Sequence, residues 1–93
     1  MFDFTEFKGN DMIALLASPD DTRPMQFGRT KAIKLCAVLD QMQAWCDRAA
    51  QQDTFCVFTN DYGDWQITKG QVQLVLANLE AVINFAENGK PQN

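Results

Sequence analysis

The sequence contains no histidine, and its only serine is Ser18. Histidine is the side chain that most often acts as a general base or metal ligand near neutral pH. Its absence excludes Ser-His-Asp and Cys-His catalytic arrangements. The five glycines are scattered along the chain, and no glycine-rich phosphate-binding loop occurs. These absences predict a protein that is not an enzyme and that holds no cofactor and no metal.

The chain also lacks a long apolar run, a basic N-terminal leader and an excess of basic residues. A membrane-spanning helix needs about 20 apolar residues, and a secretory signal needs a basic segment followed by an apolar one. The net charge of −4 gives no counterion-release energy on a nucleic acid. The sequence predicts one domain, residues 1–93, in the cytoplasm, with no membrane and no direct nucleic-acid partner.

The cysteine pattern contains no recognisable pair. Cys36, Cys46 and Cys56 are odd in number and form no Cys-x-x-Cys motif. Cys36 and Cys46 fall on one predicted helix about 15 Å apart along its axis, whereas a disulfide needs Cα atoms within about 7 Å. We therefore expect three free thiols in a reducing compartment. Cys36 lies at the margin of the apolar helix face and is expected to be the most accessible.

A weak internal repeat is present when the sequence is shifted by forty residues. Gln26-Phe27 falls on Gln66-Ile67, and Ala37, Leu39, Asp40, Trp45 and Asp47 fall on Ala77, Leu79, Glu80, Phe85 and Glu87. Two unrelated amphipathic helices would share such spacing. A short apolar stretch, an acidic turn and a stretch ending in Gln-apolar precede each helix, however, so we favour a tandem duplication. The pseudo-repeats are expected at about 12–51 and 53–89, with an N-terminal arm at 1–11 and a tail at 90–93.

Apolar periodicity predicts two helices, at about 29–50 and 69–88. At about 100° per residue, each helix has one apolar face. These faces contain Leu35, Val38, Leu39, Met42, Trp45, Cys46 and Ala49 in the first helix, and Val72, Val75, Leu76, Leu79, Val82, Ile83 and Ala86 in the second. Thr68 with Gln71 forms a capping-box signature, and Gly89 is placed to end the second helix. Trp45 is expected in the core.

Four short strands are predicted at about 12–17, 25–27, 54–59 and 64–67. The turn sequences Ser-Pro-Asp-Asp and Asn-Asp-Tyr-Gly connect them in pairs, and β-branched and aromatic residues favour the third. Two hairpins and two helices make a two-layer sandwich. The predicted fold class is therefore α+β: a tandem ββα-ββα duplication that forms a four-stranded antiparallel sheet with two helices on one face.

Both faces of this predicted sheet are apolar. Ile13, Leu15 and Ala17 alternate with Met12, Ala14 and Leu16, and Phe55 and Val57 alternate with Cys56 and Phe58. A half-exposed antiparallel sheet should instead alternate apolar with polar residues. The second face would need a cover: the N-terminal segment with Phe2, Phe4 and Phe7, a second copy of the chain, or a different protein. We favour a homodimer, because large apolar patches are rare on monomers.

The first half contains a run of residues before the first predicted helix: Glu6-Phe7-Lys8-Gly9-Asn10, then Ile13-Ala14-Leu15, then Pro24, Phe27-Gly28 and Lys31-Ala32. In these residues it resembles a group of short bacterial proteins that have no established activity. These residues are similar to an FKGN, I-x-L and P-x-x-FG-x-x-KA pattern before a helix. The chain departs from it at Asp11, where the group tends to have proline, and at Met25, where it tends to have an aromatic residue. The resemblance implies the ββα arrangement and no chemistry.

The acidic turns and two aromatic residues beside them are the candidate partner-binding residues. Asp20 and Asp21 in the first turn and Asp61 and Asp64 in the second would occupy corresponding hairpin tips, and together would form an acidic edge. Such an edge could hold a cation or imitate phosphates, or these residues are simply turn-forming aspartates in solvent. Tyr62 and Trp65 are of the types enriched at interface hot spots, although Trp65 also fits core packing on a short strand.

The functional hypothesis that follows is a non-enzymatic interaction protein. It would bind a protein partner or itself through the sheet and the acidic edge. A small, acidic chain suits an accessory or inhibitory protein, including one carried on a phage or plasmid. The alternative hypothesis is a small enzyme or ligand-binding domain that uses a thiol or carboxylates, which would need a pocket and a strongly perturbed Cys or Asp.

Overall fold

The structure is a computed structural model that describes residues 1–48 and 54–90. Within these ranges the chain forms five strands and four helices. The strands are β1 (Phe2–Phe7), β2 (Asn10–Leu15), β3 (Met25–Gly28), β4 (Thr54–Asn60) and β5 (Gly63–Thr68), and the helices are α1 (Arg29–Ala37), α2 (Leu39–Asp47), α3 (Lys69–Ala77) and α4 (Leu79–Asn88). The α+β class is confirmed. The ends predicted for the first helix (49–50) and the tail (91–93) lie outside the described residues.

The first sheet contains a strand that the sequence analysis placed in an N-terminal arm. Its order is β1-β2-β3 and both pairings are antiparallel. Lys8 and Gly9, with φ of 52° and 81°, form the two-residue turn between β1 and β2. Positive φ at both central positions matches the twist of the strands. The expectation of an arm is therefore wrong, because this turn returns the chain directly onto β2.

The second sheet is a separate two-stranded hairpin, β4-β5. The predicted single four-stranded sheet with two helices is therefore wrong. Among the described residues, side-chain packing connects the two sheets in place of a hydrogen-bonded ladder: the ring centroids of Phe27 on β3 and Trp65 on β5 lie 6.2 Å apart. Sequence patterns specify strand pairs through their turns, but they do not specify which pairs join edge to edge.

The predicted second face is mixed in place of fully apolar. Partners across the first sheet share a face, and the outward face carries the polar Asp3, Thr5 and Gln26 together with the apolar Phe7, Met12 and Ala14. Phe4, Ile13 and Phe27 share the core face. In the second sheet the register shifts between Cys56 and Phe58. This bulge turns Phe58 to the same side as Trp65, where the two rings are 5.9 Å apart. Bulges of this kind re-aim side chains and are not visible in an alternation count.

Each predicted helix is interrupted once, at Val38 and at Asn78. Their backbone angles are φ −123°, ψ 22° and φ −117°, ψ 30°. The amide of Val38 donates to Leu35 three residues back, which tightens the last turn. At Asn78 the side chain donates to the Leu74 carbonyl at 2.8 Å, a local bond that competes with continuation of the helix. The two interruptions are forty residues apart.

The core lies between the helices and the inward faces of both sheets. Its fully buried members include Leu35 and Met42 from the first helical pair and Val72, Val75 and Val82 from the second. The apolar helix faces are confirmed at these positions, and Trp45 is buried as expected. The helices pack across the halves: α1 against α4, and α2 against α3. In the described ranges, no helix has the length and apolarity that a bilayer crossing requires.

The ends of the helices agree closely with local sequence signals. Thr68 and Gln71 form both bonds of the capping box at the start of α3, with N···O distances of 3.2 and 2.9 Å. Gly89 ends α4 with φ 71° and donates its amide to Phe85. The guanidinium of Arg29 donates to the carbonyls of Ala86 and Glu87, at 2.9 and 2.8 Å. Arg29 therefore satisfies carbonyls that the last turn of α4 leaves without partners.

Candidate functional site

The tip of the β4-β5 hairpin presents the most exposed aromatic side chain of the described residues. Tyr62 is 98% exposed. Its amide donates to the Asn60 side chain at 2.8 Å, an Asx turn that holds the backbone beneath it. Gly63 follows with φ 127°, a conformation that glycine adopts readily. Asp61 and Asp64 flank the tyrosine and are exposed. The tip presents an aromatic side chain on a hydrogen-bonded backbone turn, with negative charge on both sides.

Trp65 is held in a different environment from Tyr62. It is half-buried and packs against Phe58 and Phe27, with centroid distances of 5.9 and 6.2 Å. The Lys31 ammonium lies 4.7 Å from the centre of its ring, a cation–π contact. The structure therefore places Trp65 in the packing between the sheets and leaves Tyr62 exposed, so the two residues do not form one binding surface.

The first acidic turn is organised by its own backbone. The Asp21 carboxylate accepts the amides of Ala17 and Arg23 at 3.1 and 2.9 Å. These two hydrogen bonds hold the pKa of Asp21 below its ordinary value. Asp20 beside it is exposed. The two acidic turns belong to different sheets, and no hydrogen bond among the described residues joins them. In those residues, no group of three potential metal-ligating side chains occurs.

A groove of about 710 Å³ lies beside the start of α1. Asp11, Gln26 and Lys31 are among its lining residues, so its charges are of both signs. Gly28 is the N-cap of α1 and gives it no side-chain cap. Arg29 also lines the groove, but its guanidinium already bonds the end of α4. This groove was not predicted from the sequence, because it forms only where β2, β3 and α1 meet.

The cysteines differ in accessibility from what was expected. Cys56 is exposed, whereas Cys36 and Cys46 are half-buried. The expectation that Cys36 is the most accessible thiol is wrong, because α1 ends at Ala37 and Cys36 packs against the core. Burial raises the pKa of the Cys36 thiol, and the negative charge of Glu87 raises it further. A raised pKa lowers the thiolate fraction at neutral pH, and the thiolate is the nucleophilic form.

The two sheets also have unequal outer edges. Among the described residues, β1 pairs only with β2, and β4 pairs only with β5. The β1 edge carries Asp3 and Glu6, and the Asp3 carboxylate accepts the Phe4 amide at 2.8 Å. Charged residues of this kind protect strand edges from further pairing. The segment Thr54–Asn60 contains no charged residue, a feature that was readable in the sequence and was missed.

Comparison with protein-family models, with curated proteins and with solved structures finds no match to this chain. The function of the hairpin tip and of the β4 edge therefore has to follow from their own chemistry.

Proposed function

We propose that this chain is a small cytoplasmic protein–protein interaction module, which acts without catalysis and self-associates through the hairpin β4-β5 of its second sheet. An accessory or inhibitory role suits such a module. The observation that carries the proposal is the Tyr62 side chain, which is 98% exposed on a fixed turn. The outward face of the first sheet mixes polar with apolar residues and offers no comparably exposed anchor, so the proposal rests on the hairpin.

Tyrosine is suited to this role because it combines a large apolar ring with a polar tip. A tyrosine that enters a pocket on a partner buries its ring and keeps a hydrogen bond for its hydroxyl. The Asn60–Tyr62 hydrogen bond of 2.8 Å orders the turn before binding, which reduces the entropy lost on association. Asp61 and Asp64 favour a partner surface with basic residues nearby. Lys31 and Lys34 are exposed on α1 and offer such charge on a second copy.

The tandem duplication is part of the same proposal. α1 and α3 begin at Arg29 and Lys69 and end at Ala37 and Ala77, so their bounds differ by forty residues at both ends. α2 and α4 begin at Leu39 and Leu79, with the same offset. Helix α1 of the first half packs on α4 of the second half, and α2 packs on α3. Each half therefore packs its helices on those of the other half, as expected for a fused pair of repeats.

Sedimentation velocity over a range of protein concentrations tests the proposed self-association. We expect the wild-type chain to form a dimer and Tyr62→Ala to weaken it roughly 30-fold, which corresponds to about 2 kcal/mol for an interface hot spot. Phe7→Ala is the matched control, because Phe7 is an exposed aromatic residue (60%) on the other sheet. At concentrations too low for dimer formation, both variants should unfold at the wild-type temperature, since neither ring is buried.

Two results would contradict the proposal. A wild-type chain that remains monomeric at every concentration would exclude self-association. A dimer that Tyr62→Ala and Phe7→Ala affect equally would show that the hairpin tip is not its interface.

A further inference from the structure

The second sheet corresponds to the first sheet without β1. Gly28 and Thr68 are the N-caps of α1 and α3, and they pair with Met12 and Thr54. This correspondence continues along the strands. Ile13, Ala14 and Leu15 of β2 pair with Phe27, Gln26 and Met25 of β3. Phe55, Cys56 and Phe58 of β4 pair with Ile67, Gln66 and Trp65 of β5, which are the residues forty positions further along the chain. The two sets of outer-strand residues therefore match. Val57 is the extra residue at the bulge.

Burial at these matched positions differs most on the strand that β1 covers. Ile13 and Leu15 are fully buried, and Ala14 is 3% exposed. Their counterparts Phe55 and Phe58 are half-buried, and Cys56 is exposed.

On the inner strands the matched residues Phe27 and Ile67 are both 1% exposed, whereas Met25 is buried and its counterpart Trp65 is half-buried. On the outer strand all three matched positions differ, so the larger difference follows the presence of a further neighbouring strand. The position that β1 occupies beside β2 is open beside β4 within the described residues.

We propose that the outer edge of β4 binds an extended segment of a partner protein as an additional antiparallel strand. The structure itself shows the kind of segment that fits: β1, in which Phe2 and Phe4 lie on one side and alternate with Asp3 and Thr5, and Phe4 packs against the core. The partner segment carries apolar residues on the side of Phe55 and Phe58 and polar residues on the side of Cys56. Backbone hydrogen bonds hold such a strand, and alternate side chains select it.

The chemistry of the edge supports this choice of occupant. The Thr54–Asn60 segment has no charge, no proline and no glycine, so the bulge at Val57 is the one usual device against strand addition that it carries. β1, in contrast, has two carboxylates, and Asp3 blocks the Phe4 amide. The surface goes beyond the proposed function, because it does not involve Tyr62.

A peptide with the sequence of residues 1–10 is the probe, since β1 is the strand at the matched position. The Leu16 amide donates to the Met1 carbonyl at 2.8 Å. Hydrogen-bonded pairs alternate along an antiparallel ladder, so Asp3 and Ala14 also form such a pair, with Cα atoms about 5.5 Å apart. That separation suits a disulfide. A peptide with Asp3→Cys therefore places its sulfur opposite Cys56, the counterpart of Ala14.

The peptide is supplied as a mixed disulfide with 2-thiopyridine. The Cys56 thiolate attacks the peptide sulfur, the new S–S bond forms, and 2-thiopyridone leaves. The matched control peptide carries Phe4→Cys, which places the sulfur on the opposite face of the sheet. We expect Asp3→Cys to modify Cys56 on the order of tenfold faster than Phe4→Cys. Amide hydrogen exchange should slow in β4 and not in β2 when the unmodified peptide is added.

Each other outcome overturns the proposal. Equal rates for the two peptides would show that Cys56 is merely accessible, and unchanged exchange in β4 would show that no strand is added. Protection of β4 that rises with protein concentration alone, together with a Cys56–Cys56 disulfide between chains when dissolved oxygen is admitted as the oxidant, would assign the edge to a second copy. Tyr62→Ala should leave the rate of peptide labelling unchanged. A failure of the proposed strand addition can therefore be distinguished from a failure of the proposed self-association.

Discussion

Asn78 connects three parts of the molecule, so its replacement by alanine should destabilise the fold measurably. The residue is 8% exposed. Its side-chain nitrogen donates a hydrogen bond to the Leu74 carbonyl at 2.8 Å, and its side-chain oxygen accepts a hydrogen bond from the Met1 ammonium group at 3.0 Å. A net contribution of about 1 kcal/mol for each bond gives about 2 kcal/mol. The Leu74 carbonyl keeps its bond from the Asn78 backbone amide at 3.1 Å, which keeps the loss near this value.

Thermal and urea unfolding of Asn78→Ala measure this effect. For a domain of this size, a loss of about 2 kcal/mol lowers the melting temperature by roughly 8–16 °C. Asn84→Ala is the matched control, because Asn84 is exposed on α4 and should change stability by less than about 0.5 kcal/mol. Equal stability of the two variants would refute the reasoning, since it would mean that the buried amide contributes no more than a solvated one.

Arg29→Ala should cost about 1–2 kcal/mol in the free energy of unfolding, because it leaves the last carbonyls of α4 without their charged donor; Arg48→Ala, exposed at the end of α2, should be near neutral. Asp21→Ala should destabilise the protein at neutral pH. The folded state lowers the pKa of Asp21, so its contribution is present above the unfolded pKa and lost as the pH falls through the folded value. In urea titrations the free energies of unfolding of the wild type and of Asp21→Ala should therefore converge in acid, and a difference that is the same at every pH would contradict this reasoning. Iodoacetamide should alkylate Cys56 before Cys36, because Cys56 is exposed and burial raises the pKa of the Cys36 thiol; mass spectrometry of a time course checks the order.

Local signals predicted the helical part of the fold well. The Thr68–Gln71 capping box, the Gly89 end and the buried positions of the apolar faces depend on residues three or four apart. These interactions are the same in an isolated helix and in the folded protein, so sequence spacing is enough to identify them. The interruptions at Val38 and Asn78 were missed, because neither residue is a strong helix breaker by itself.

The sheets and the candidate sites could be predicted only in part. Tyr62 was singled out from its place in the turn, and its exposure agrees with that place. Trp65 was grouped with it because the two are close in sequence, yet strand geometry places Trp65 against Phe27 from the other sheet. The bulge at Val57 had no signature in the alternation of apolar residues, and it changed the face to which Phe58 belongs.

By itself, the sequence determined the α+β class, the two helical segments, their buried faces and the turns between the strands. Each of these follows from interactions between neighbours along the chain. Only the tertiary structure decided that β1 joins the first sheet, that the strands form two sheets, and that the outer edge of β4 is left open among the described residues. Those outcomes depend on competition between distant segments for the same hydrogen-bonding edge, and periodicity within one segment carries no information about that competition.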